Sequence, residues 1–177
     1  MTQNELIDGL EADLRRLLAH ARTQLAPKTS HDLEHRPAPE RWNTAESLAH
    51  LNAFWADYLP AIERAIHKGK ARKWTPNGPV RYTQRGKRAL RRVDPAQTKA
   101  FKTAKRYNFF QKPIEPDPLK SFIIGAEKLQ RLLLAARAVD LNRTTVPKAH
   151  AWFGRYSLGN LLEWLVKHAQ KHLGAFG

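Results

Sequence analysis

The chain has 177 residues, 42% of them hydrophobic, with 31 Lys and Arg against 16 Asp and Glu and a formal net charge of +15. That length suits one compact domain with a core of useful size, and the apolar fraction excludes wholesale disorder. With no cysteine, disulfides, thiolate metal sites and cysteine nucleophiles are excluded.

The opening residues, Met1 to Glu5, lack the basic start and apolar run of a signal peptide. No apolar stretch approaches the roughly 18 residues of a transmembrane helix. The expectation is therefore a cytoplasmic protein with no membrane partner. Thr2-x-x-Glu5 has the spacing of a capping box, and Leu6, Leu10, Leu14, Leu17, Leu18, Ala21 and Leu25 recur at helical spacing. This predicts a first amphipathic helix ending near Pro27. Residues 27–43 hold Pro27, Pro37 and Pro39 and read as a connection. Asn43-x-x-Glu46 then starts a second helix, whose broad apolar face runs from Leu48 to Ile66, with Pro60 interrupting it and an end near Lys68-Gly69.

The charge is concentrated between the second helix and the third. Residues 64–112 hold 16 basic side chains and one acidic one, Asp94, so the rest of the chain is neutral. This rules out a uniformly cationic, histone-like chain. Scattered prolines and glycines break the segment, although residues 80–92 or 96–106 can each make a short helix. A connection this long within a compact domain usually has a function or is mobile. Asp117-Pro118 is a helix start, and Phe122 to Ala136 mark a third helix. Residues 140–156 form a connection around Pro147, and Ser157 caps a fourth helix carrying Leu158, Leu161, Leu162, Leu165, His168 and His172. No period-two alternation lasts long enough to indicate a sheet. The pattern is all-α: a four-helix bundle forming one domain over residues 1–177, with a basic crossover at about 69–117 between helices two and three.

Most of the eight histidines read as ordinary. His20 and His67 fall near helix ends, His31 and His35 in a proline-flanked turn, and His150 in a loop beside Trp152. His168 and His172 differ. Four residues apart, they lie about 40° from each other on one helical face and continue the stripe of Leu161 and Leu165. Burying two imidazoles is costly unless partners satisfy them. A divalent metal is one such partner, with His50 on the flank of the second helix's apolar face as the third candidate. Core histidines bonded to carbonyls or carboxylates are the other reading, and spacing alone leaves the two about even. His168-Ala169-Gln170-Lys171-His172 lacks the glutamate of His-Glu-x-x-His proteases. Glu46 reads as a cap and Glu163 as a solvated surface residue, so no catalytic residue is assigned.

Arg41-Trp42-Asn43-Thr44-Ala45-Glu46-Ser47-Leu48-Ala49-His50-Leu51 resembles the start of the second helix in DinB/YfiT-like proteins. Residues 157–172, from Ser157-Leu158-Gly159-Asn160 to the His168/His172 pair, resemble their fourth helix, and the spacing of elements agrees over nearly the whole chain. The resemblance implies a bundle in up-down-down-up order and a divalent ion, nickel or zinc, held by His50, His168 and His172. Characterised relatives include S-transferases that use bacillithiol or mycothiol and a mycothiol-dependent isomerase; many others are described as metal-dependent hydrolases. Ala169-Gln170 stands where the family usually has Glu or Gln beside the ligand pair, and the basic crossover is not a family hallmark.

Three functions are expected. The first is a metalloenzyme, a thiol S-transferase ranked just ahead of a hydrolase, acting on a small, anionic or thiol-containing substrate drawn in by the crossover. The second is a nucleic-acid-binding module, in which residues 64–112 track phosphates while Trp74, Tyr82, Phe101, Tyr107, Phe109 and Phe110 stack on bases. No helix-turn-helix, RNP or GXXG signature accompanies it, and a basic loop whose aromatics dock on the bundle is the plainer account. The third is a bundle that keeps its metal without catalysis. Exposed aromatics would also suit a homodimer, with no face assigned.

Overall fold

The computed structural model describes residues 1–94, 96–97, 102–149 and 154–174. His150, Trp152 and Phe101 lie outside the described residues, as do residues 98–101 of the second short helix foreseen in the crossover. The described chain is mostly helical, and each long helix starts where a side chain can take up its orphan N–H groups. Helix α1 (Gln3–His20) begins with Thr2 accepting from the Glu5 N–H at 3.1 Å while the Glu5 carboxylate accepts from the Thr2 N–H at 2.6 Å. It passes into a wider π turn, Ala21–Leu25, closed by the Ala26 N–H on the Ala21 carbonyl just before Pro27.

The expected connection at 27–43 contains a short helix, α2 (Ser30–Glu34), formed because Thr29 and Asp32 make a second reciprocal cap and Leu33 is buried. Helix α3 (Thr44–Ala71) is capped by Asn43 and Glu46 and runs through Pro60 without ending. It extends past the expected Lys68-Gly69 stop, adding Lys70 to Arg64 and Lys68 among the basic residues that belong to the helix. In the crossover, α4 (Gln84–Val93) fits the first of the two short-helix alternatives, with Thr83 as its cap. Residues Lys105–Tyr107 make a single 3-10 turn. Helix α5 (Pro118–Ala136) starts at Asp117, which accepts from the Lys120 N–H at 2.9 Å. Helix α6 (Leu158–Leu173) starts at Ser157 and ends at the left-handed Gly174.

A two-stranded ribbon corrects the all-helical expectation in a small way. Strands β1 (Thr145–Pro147) and β2 (Arg155–Ser157) pair antiparallel, with Val146 opposite Tyr156. Three residues a side are too few for alternation to show in the sequence.

Helix α3 packs on α5 and α6, and so does α1. The core between them is built from Ile7, Leu14 and Leu17 of α1, Leu48, Trp55 and Ile62 of α3, Phe122 and Leu129 of α5, and Leu162 and Leu165 of α6. Each such side chain contributes about 1.5–3 kcal/mol on burial. Between α3 and α5 the Trp55 ring stacks on Phe122 at 4.8 Å and lies over Gly125, where a Cβ would come within 2.6 Å of it.

The crossover is tied down at several points. The Asp140 N–H donates to the Trp74 carbonyl at 2.7 Å. Buried Gln3 donates to the carbonyls of Asn77 and Gly78 and accepts from the Leu141 N–H. Helix α4 then lies on α6, where Gly86 sits against the Asn160 carboxamide and the Tyr82 hydroxyl donates to Glu163 at 2.6 Å. Beyond, Tyr107 returns to α3, and the Gln111 N–H donates to Glu46 at 2.7 Å. The basic segment is therefore laid across the helices rather than looped away from them.

Candidate metal centre

The second-helix histidine and the fourth-helix pair meet. His50 points from α3 toward α6, where the i, i+4 spacing puts His168 and His172 on one face. One ring nitrogen from each histidine lies within 4.8 Å of those of the other two. The ring centroids are 4.5–4.9 Å apart. His50 is 2% exposed, His168 6%, and His172 is half-buried.

The tautomer of His50 is set by its partner. Its Nδ1 lies 2.6 Å from the Tyr107 carbonyl. A carbonyl only accepts, so Nδ1 carries the proton and Nε2 presents a lone pair to the centre. That Nε2 is 3.1 Å from His168 Nε2. Two arrangements satisfy this contact: His168 donates to His50 from Nε2, or both lone pairs face one cation. Two imidazole nitrogens each about 2.0–2.1 Å from a shared ion stand roughly 3.0–3.4 Å apart, so the spacing of this pair is compatible with a shared metal. His168 Nδ1 is buried with no hydrogen-bond partner among the described residues. Stacking of Trp164 at 4.5 Å and edge contact from Phe54 at 5.0 Å hold that ring instead.

Burial also sets the protonation state. Desolvation pulls His50 down to about 4 against the opposing pull of the Tyr107 carbonyl. Desolvation, with His50 and Lys171 nearby, pulls His172 down to about 3. The wholly buried His168 moves the same way, from desolvation first and then from the other two histidines. All three are neutral at pH 7, the form that ligates a metal.

The triad lines a cavity of about 590 Å³. Trp42, Phe54 and Trp164 form its aromatic wall, and Arg41, Arg92, Lys102 and Lys171 bring positive charge to it. Among the described residues no Asp or Glu lines it.

The sequence matches the family model of the DinB superfamily over residues 9–176. The chain belongs to the DinB superfamily. No curated protein and no solved structure matches it. In this DinB chain, the residues that the resemblance put at the metal are thus the three that the fold brings together.

The other described histidines are not part of the cluster. His31, His35 and His67 are exposed and His20 is half-buried at the end of α1. Glu46 is a structural residue, as its cap position indicates. Burial opposes its ionisation, but the Arg36 guanidinium at 2.7 and 2.9 Å and the N–H groups of Gln111 and Asn43 outweigh it and lower its pKa. Glu163 is not the solvated residue that its helix position implied. Its side chain is 12% exposed, and it accepts from Tyr82 and pairs with Lys167 at 2.8 Å.

Sequence reading missed the contribution of the crossover. Tyr107 orients His50, and Arg92, Lys102, Thr103 and Ala104 close one side of the cavity. Two of the aromatics assigned to base stacking are engaged within the chain. Tyr107 is 1% exposed, stacked on Phe54 at 3.7 Å and bonded to Asp57, while Trp74 lies between Arg72 and Arg143.

Proposed function

We propose that this chain is a metal-dependent enzyme in which His50, His168 and His172 hold one divalent ion, zinc or nickel, at the base of an anion-attracting cavity. Its long helices form the up-down-down-up bundle typical of DinB-like proteins, with the crossover folded over the site. The observation that carries this reading is the meeting of three neutral imidazoles whose Nε2–Nε2 spacing and fixed His50 tautomer suit a shared cation. Imidazole donors suit zinc and nickel alike.

A divalent ion held by three histidines lowers the pKa of a bound water or binds a cosubstrate thiolate, leaving a coordination position for it. The chain's own residues favour thiol transfer over hydrolysis. Among the described residues no Asp or Glu lines the cavity, so a hydrolytic water would rely on the ion alone for its deprotonation. A small anionic thiol needs cationic side chains to bind it, and Arg41, Arg92, Lys102 and Lys171 supply them. Trp42, Phe54 and Trp164 exclude water from around the histidines. With no cysteine in the chain, the thiol comes from outside.

The nucleic-acid reading keeps its basic residues but loses much of its stacking surface to the packing of Tyr82 and Tyr107. A bundle that holds metal without catalysis would bind the ion and turn over no substrate. Among the described residues no helix is long and apolar enough to cross a membrane. Among the described residues the large apolar side chains that are exposed are Met1, Ile124 and Leu134, and the last two would put a homodimer face on α5.

Elemental analysis of the untagged protein tests the reading. One divalent ion per chain is expected, with His50→Ala and His168→Ala reducing it to a small fraction. Addition of a low-molecular-weight thiol to cobalt-substituted protein should then produce thiolate-to-metal absorption. A metal-free wild-type chain whose metal uptake is unchanged by His50→Ala overturns it.

A further inference from the structure

A second cavity, about 770 Å³, lies between α4 and the β1–β2 ribbon. Six cationic side chains surround it: Arg81, Arg85, Arg88 and Arg92 from one side, Lys148 and Arg155 from the other. Among the described residues no aspartate or glutamate lines it. Among the described residues, no carboxylate lies within ion-pair distance of Arg81, Arg85, Arg88, Lys148 or Arg155. Like charges gathered around one concavity repel, and among the described residues no carboxylate pairs with those five to offset the repulsion.

The concavity is held in shape rather than left as a loose fringe. The Arg81 N–H donates to Asn142 Oδ1 at 2.8 Å, and Asn142 Nδ2 donates to the Pro79 carbonyl. Asn160 and Glu163 bind Gly86 and Tyr82, which fixes α4 on α6. Opposite, Arg155 Nε donates to Thr145 Oγ1 at 2.7 Å, which orients its guanidinium. On α4, Arg85, Arg88 and Arg92 succeed each other at steps of three and four, so they form one stripe, with Arg81 just ahead of the helix's cap Thr83.

We infer that this cleft binds the di- or triphosphate group of a small-molecule ligand. A single carboxylate or sulfate would neutralise a small part of the charge. A chain of two or three phosphates presents several oxygens to successive guanidinium forks, each contact a charge-assisted hydrogen bond. The cleft and the histidine cavity share Ala89, Arg92 and Tyr156 in their walls. A ligand anchored by its phosphates therefore has its remaining part beside the triad, and only this last step rests on the metal reading.

Calorimetry with inorganic pyrophosphate, tripolyphosphate, orthophosphate and sulfate tests the inference on the full chain, both as purified and after chelation. Pyrophosphate and tripolyphosphate should bind once per chain and about tenfold or more tighter than sulfate, as one or two added charge-assisted contacts imply. Chelation and His50→Ala should leave this affinity in place, which separates the cleft from the metal centre. Arg85→Ala with Arg88→Ala, at exposed positions, should weaken it about tenfold or more with circular dichroism and metal content unchanged. The inference is overturned by sulfate binding as tightly as pyrophosphate, by indifference to the double variant, or by affinity that disappears on chelation. A single-stranded oligonucleotide that outcompetes tripolyphosphate with a steep salt dependence would overturn it in favour of nucleic acid.

Discussion

At the scale of single residues, the centre depends on a backbone atom. The Tyr107 carbonyl fixes the His50 proton on Nδ1, so the nitrogen facing His168 carries the lone pair that a metal would use. The same burial that keeps the three imidazoles neutral makes the metal-free protein sensitive to acid. An unfolded histidine titrates near 6.5, whereas His50 and His172 are held down at about 4 and about 3. As pH falls below 6.5 the unfolded chain takes up protons first, so stability present at pH 7.5 is lost on the way to pH 4. Between pH 7.5 and 5 each of these two histidines costs about 2 kcal/mol. Urea denaturation of chelated protein should show that fall, and His172→Gln should reduce it. An unchanged midpoint from pH 7.5 to 5 would show that the imidazoles are already charged in the folded state.

At the scale of elements, α3 and α5 approach through Gly125. Replacing it by alanine in a helix interior would ordinarily stabilise by about 1 kcal/mol. Here the new Cβ would stand 2.6 Å from Trp55 Cε3, and that ring is 2% exposed and backed by Phe122. Overpacking of this kind costs about 1–3 kcal/mol, so the steric effect decides the sign. Gly125→Ala should lower the urea midpoint; an equal or higher midpoint would mean that the Trp55 ring yields freely. The glycine itself gives no hint of this in the sequence, whereas the helix starts do. Thr2 with Glu5, Asn43 with Glu46, Asp117-Pro118 and Ser157 all mark helices because each supplies a local acceptor to its own first turn. The His168/His172 pair was legible for the same reason, since i and i+4 share a face in any helix. Helix α2 and the β ribbon were not, being a single turn among prolines and two strands of three residues. Nor was the return of Tyr107 to His50, because a main-chain carbonyl has no residue-type signature and its partner is 57 positions away.

At the scale of the molecule, the +15 charge is carried on a segment that the neutral remainder holds in place. Its first half is fastened by Gln3, a buried residue of α1 whose carboxamide donates to Asn77 and Gly78 and accepts from Leu141. Its middle lies on α6 through α4, and its last part is fastened by Glu46 at the start of α3. The histidines sit on α3 and α6, whose packing does not pass through Gln3. Gln3→Ala should therefore loosen the crossover's first half and leave the triad standing. Removing the carboxamide leaves the buried Leu141 N–H unpaired, at a cost of about 1–3 kcal/mol. Limited trypsin digestion should then cut faster at Arg72, Lys73 or Arg81, basic residues in or beside the freed stretch, while metal content stays as in the wild type. A digestion pattern identical to wild type would mean that the Thr2–Pro79 bridge and the Val80 N–H on the Met1 carbonyl hold the segment without it. Faster cleavage accompanied by loss of metal would instead tie the crossover's anchoring to the integrity of the histidine centre.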